Sequence, residues 1–310
     1  MLSLVACQPA IEPANVPREP AASEPLVARG LPHVVGVLED HLVRFQFDGG
    51  QLELDLYRDG TRVEQVARNR YAVPLTIHWT IDRLNNVEPM SPMEGSAVLP
   101  AASRPLGTGE PVVIATLQQI YPTMRYQRGL QFDARFGDPQ ARPTPYLYGL
   151  PYPHGLTFSV LQGFHGAFSH NGSNEYAVDF NCPIATPVLA ARPGVVVATN
   201  ARAQGAGTSA EFLDDRRANF VIVLHDDGTL GEYMHLAPSG VVVQPGQAVK
   251  RGQQLGLSGN TGFSSTPHLH FQVMTAAGDG ISKQSFPFEI AVGPKHSSQP
   301  VQGRRYPAWE

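Results

Sequence analysis

Cysteine is scarce in this chain: 310 residues hold only Cys7 and Cys182, so no disulfide framework organises the fold. Charge is thin too, at 16% of residues, with 23 Lys and Arg against 27 Asp and Glu and a formal net charge of −4. No dense Lys/Arg cluster occurs, so the electrostatic footprint of a nucleic-acid binder is missing. No apolar run approaches the roughly 18 residues of a membrane-spanning helix, and long amphipathic helical patterns are hard to find. Turn formers are plentiful instead. Gly 30 and Pro 28 accompany 42% hydrophobic residues, the composition of a globular chain of many short strands.

The length accommodates two domains of ordinary size. Leu4, Val5 and Ala6 run into Cys7, resembling a bacterial lipoprotein processing site whose Cys would be lipidated. Only MLSLVA precedes it, short of the roughly 7–15 apolar residues of an h-region, so residues 1–7 read as a partial signal. Residues 8–31 form a Pro/Ala-rich linker without periodicity. From 32 to 142, alternating runs such as Val73, Leu75, Ile77 and Trp79 are separated by turns at Asp48-Gly49-Gly50 and Asp59-Gly60. This pattern predicts a β-sandwich-like domain, in which His33, His41 and His78 are structural or surface residues. A Pro/Tyr-rich joint occupies 143–153. Residues 154–292 hold a second set of strands and seven of the 11 histidines, and 293–310 form a polar, Pro-containing tail.

In SSTPHLHF, His268 and His270 sit two apart on a strand, so both imidazoles look into the same place. Upstream lie His170, then Asp179 nine residues later at the end of YAVDF, and His235 closing GEYMHL. Such a collection supplies a hydrolytic metal site: three protein ligands fix Zn²⁺ and a fourth position holds a water whose pKa falls to about 7. Histidines left off the metal can move protons.

These elements, with TPVLAARPGVVV, NFVIVLHDDG and VQPGQAVKRGQQLGLSGNTGFSSTPHLHF around them, resemble the lysostaphin-type zinc metallopeptidases, the peptidoglycan endopeptidases, over about residues 155–275. The resemblance implies a mainly β chain whose second domain is an antiparallel β-sheet peptidase domain. It also implies His170, Asp179 and His270 as Zn²⁺ ligands, with His268 and His235 as catalytic residues sharing the proton and oxyanion duties. Tyr233 and Asn219 would line the substrate groove. The partner would be peptidoglycan peptides, met by an exported protein of the bacterial envelope. Lipidated Cys7 would anchor it to the periplasmic side of the outer membrane. Two departures stand out. Eight residues intervene between His170 and Asp179 where many members have fewer, placing a small loop, Asn171 to Glu175, at the rim; and Ala185 replaces a glycine before Thr-Pro-Val.

Other readings compete. A non-catalytic peptidoglycan-binding or hydrolase-activating module would keep the fold, yet no ligand position is missing here. The PGQ and RGQ turns also occur in carrier barrels, but Lys250 lacks the flanking residues of a modified lysine. His165 rivals His170 without its Ser-His-x-Gly context. His225 reads as structural, and Cys182, by strand parity, as a core thiol facing away from Asp179.

Overall fold

The computed structural model describes residues 37–43, 52–103, 107 and 109–309. Cys7, the linker, His33 and the Asp48–Gly50 turn lie outside them. Strands dominate, and short 3-10 turns are the helical elements among the described residues.

The first half is a sandwich of two antiparallel sheets. One orders the strands Val37–Val43, Leu52–Asp59, Arg62–Asn69, Pro111–Gln119 and Val87–Pro89; the other places Leu75–Asn85 between Glu94–Leu99 and Gln127–Phe136. Alternation does the work the sequence predicts. Leu75, Ile77, Trp79 and Ile81 point inward and meet Leu52, Leu54, Ala67 and Ile114 from the facing sheet. Asp59 pairs with Arg62 across a two-residue turn, where Gly60 takes φ +60 at no steric cost.

The second half is built on a nine-stranded sheet whose centre runs Gly194–Asn200, Phe220–Leu224, Leu230–Met234, Leu269–Ala276, Val178–Phe180, Thr157–Gln162 and Arg305–Pro307. All these neighbours are antiparallel. The two faces have different fates. Val221, Val223, Tyr233, Leu269, Phe271 and Val273 share a core with Tyr148, Tyr152 and Phe288. The alternate residues Phe220, Ile222, Leu230, Met234 and Met274 join the sandwich cluster instead. The sandwich therefore covers part of the very face on which His270 stands, because Met274 and His270 have the same strand parity.

Candidate metal centre

Three adjacent strands place one row of polar side chains across that face. Gln162 pairs with Asp179, Asp179 with His270, and His270 with Met234. Val178 and Phe180 flank Asp179 and belong to the apolar core, so alternation turns the carboxylate to the other side. There Asp179 Oδ1 lies 3.0 Å from His270 Nδ1 and 3.2 Å from His170 Nε2. These three ligand atoms lie within 4.8 Å of one another, and all three residues are buried.

Backbone carbonyls fix the tautomers, since a carbonyl only accepts. His170 Nδ1 donates to Gly163 O at 2.9 Å, which leaves its Nε2 lone pair aimed at a carboxylate. That buried nitrogen has no hydrogen-bond partner. A lone pair and a carboxylate oxygen at this separation need a cation between them, so the donor set of two imidazoles and a carboxylate fits a divalent metal. Burial works against the charge on Asp179, but the facing imidazoles of His170 and His270 outweigh it and hold the carboxyl well below its usual range. Burial likewise lowers the pKa of His270, against the pull of Asp179.

His268 and His235 complete the cavity. His268 Nδ1 donates to Thr266 O at 2.7 Å with Ser264 Oγ at 3.2 Å, and its Nε2 stands 3.6 Å from Asp179 Oδ1. His235 Nδ1 donates to Thr261 O at 2.7 Å, and its ring lies 4.6 Å from that of His268 and 5.8 Å from that of His270. Strand parity alone would send His235 into the core beside Tyr233. A positive φ of +65 at His235 breaks the alternation and swings the ring into the cavity. Burial, then the neighbouring His268 and His270, depress its pKa to about 3.

The five candidate metal and catalytic residues are thus brought together, whereas the two groove candidates are not. Tyr233 is fully buried, stacks near Phe271 and accepts a bond from Ala191 N through its hydroxyl. Asn219 is fully buried and bonds to Ala203 and to Leu236 O, bracing the segment behind His235. The Asn171–Glu175 loop, expected at the rim, is not among the residues that line the cavity. Its Gly172–Asn174 is a 3-10 turn, and Asn174 accepts from Gln272, which also bonds buried Glu232. His165 is exposed beside Glu175. His225 bonds Thr229 in a separate buried cluster, and Cys182 is a core thiol that burial pushes up to about 12.

Sequence reading missed Gln162. Its side chain donates to Asp179 Oδ2 and to Ser169 Oγ, while its oxygen accepts from Phe168 N and Ser169 N. One carboxamide thus orients the Asp179 carboxylate and holds the loop carrying His170. No motif marks it; only its register opposite Asp179 does.

Residues 173–282 match Peptidase family M23 and form a domain of that family; the match begins three residues past His170. Relatives include the peptidoglycan DD-endopeptidase ShyA of Vibrio cholerae, 34% identical over 44% of this chain and 27% of that protein. The glycyl-glycine endopeptidase ALE-1 of Staphylococcus capitis is 35% identical over 48% of this chain and 34% of its own length. This chain thus spans about a third or less of those relatives. The crystallised catalytic domain of lysostaphin from Staphylococcus simulans aligns with 45% of this chain and 85% of its own, at 35% identity and a TM-score of 0.29.

Proposed function

We propose that this protein is a Zn²⁺-dependent endopeptidase that hydrolyses peptide bonds of bacterial peptidoglycan in the cell envelope. The carrying observation is the convergence of His170 Nε2, Asp179 and His270 Nδ1, with the His170 nitrogen otherwise orphaned. Relatives named as peptidoglycan DD-endopeptidases supply the substrate class.

Zinc held by these three residues would polarise the scissile carbonyl and acidify water. The protein's own share falls to two imidazoles whose Nδ1 protons are committed to carbonyls, so that each Nε2 is an acceptor. His268, partnered by Ser264 at the cavity, takes the proton of the attacking water and returns it to the leaving amine. His235, held neutral by burial, accepts a hydrogen bond from that water and orients it. Gln162 keeps Asp179 aimed.

Zinc content and release of muropeptides from purified sacculi test the reading. The parent should hold one zinc and release fragments. His270→Ala should lose both, and His268→Ala should keep the zinc while the rate falls about 10²–10⁴-fold. A parent without zinc and without release would end it. Attachment through a lipidated Cys7 belongs to the same proposal; labelled palmitate incorporated by the parent and equally by Cys7→Ala would refute it.

A further inference from the structure

The cavity that holds Asp179, His235, His268 and His270, of about 370 Å³, has one wall far along the chain from the rest of its lining: Gln302. This residue belongs to the tail, yet the tail here is firmly built. Gly303 N donates to Val160 O and Val160 N to Arg304 O, both at 2.9 Å. Val301 N donates to Tyr306 Oη, which donates to Gln299 O. Tyr306 is itself 1% exposed and pairs with Phe158 in the sheet. The turn also presses on Gly163, where an added Cβ would come within 3.2 Å of Gln302 N. Gly163 is the residue whose carbonyl orients His170.

The chemistry of the lining is selective. Beyond the metal and catalytic residues it presents the hydroxyl-bearing run Ser264, Ser265 and Thr266, the pair Phe168 and Phe263 stacked at 5.8 Å with Phe168 62% exposed, and Gln302. No Lys or Arg lines it, so no cation awaits a terminal carboxylate, which is normally clamped by one. An exposed carboxamide offers one acceptor and two donors, the complement of an internal peptide unit. Beside an apolar aromatic pair it suits an uncharged stretch of chain.

We propose that the 299–304 turn is a wall of the substrate groove and that the Gln302 carboxamide hydrogen-bonds an internal peptide unit of the substrate beside the scissile bond. This rests on the endopeptidase reading and names the part of the substrate that the site takes.

Steady-state cleavage of a soluble muropeptide dimer by the zinc-loaded full chain tests it. Gln302→Ala should raise KM about 3- to 10-fold, the worth of one neutral hydrogen bond. Its kcat should stay within about twofold of the parent, and its zinc content and melting temperature should not move. Gln302→Glu, which keeps the size but loses the donors, should raise KM at least as far. An unchanged KM would overturn the proposal. So would a loss of zinc or kcat without a rise in KM, because the turn would then only back His170. A second arm does not depend on turnover: retention of His268→Ala on sacculi against His268→Ala/Gln302→Ala. Lower retention of the double variant supports the contact and equal retention refutes it. A zinc-loaded parent that cleaves nothing would sink the endopeptidase reading, while this arm would still decide the role of Gln302.

Discussion

His235 occupies the left-handed region with a full side chain, which costs roughly 1–2 kcal/mol, and gains a place opposite His268. Strain of this kind concentrates where function needs a particular aim. The converse case is Gln162, an unstrained strand residue whose carboxamide fixes Asp179. Gln162→Ala should weaken zinc binding about 10- to 100-fold, measured by competition with a chelating dye; an unaltered affinity would show that Asp179 aims itself. His225 makes a separate point about pH. Burial, then the Arg192 charge, lower its pKa to about 3, against about 6.5 in the unfolded chain. Below pH 6.5 the unfolded chain takes up a proton that the folded one refuses. The stability it contributes is therefore full above 6.5 and falls as pH drops toward 3. Between pH 6.5 and 4.5 the loss should be about 2 kcal/mol. Urea titrations of parent and His225→Leu should show that much less acid loss in the variant, and parallel losses would contradict it. Sequence displayed the five histidine and aspartate positions because HxH parity and order carry information. It could not display Gln162, whose role arises from pairing between strands distant in the chain, nor the burial of Tyr233, which depends on which sheet face receives the core.

At the level of elements, the turn before Thr186-Pro187-Val188 carries an exposed Ala185 at φ +68. Alanine stands here where the resemblance implies a glycine, and the backbone shows why glycine would fit. Ala185→Gly should stabilise the protein by about 0.5–1 kcal/mol, the relief of left-handed strain less the added chain entropy; thermal melts read it, and a lower melting temperature would count against the strain. The strand alternations in the sandwich were legible in the same way, since period-2 patterns report their own burial. The 3-10 turn Gly172–Asn174 was not. Its destination is set by Asn174 accepting from Gln272 and Ser173 Oγ accepting from Lys283 N, contacts spanning some 100 residues.

Across the whole molecule, one sheet face is divided between the candidate metal centre and the sandwich. Val197, Phe220, Ile222, Leu230, Met234 and Met274 are buried in a cluster shared with sandwich residues. A chain beginning at residue 143 would present that apolar face to water, a patch of the kind that drives association. Such a chain should bind a hydrophobic dye and sediment as oligomers, and a monodisperse, dye-silent fragment would show the two halves to be independent. For the same reason Met274→Ala should cost about 2–5 kcal/mol. No periodicity in either half announces this sharing, because each strand reads as half-buried whichever neighbour buries it.

The strand Arg305–Pro307 lies beside Thr157–Gln162, which in turn lies beside the strand of Asp179. Synthesis runs from the N-terminus, so a nascent chain released only as far as His270 already has every candidate ligand but still lacks the wall beside His170 and the strand that flanks Gln162. Timing follows from this: the groove acquires its finished shape only once residues 299–307 have emerged, later than every candidate ligand.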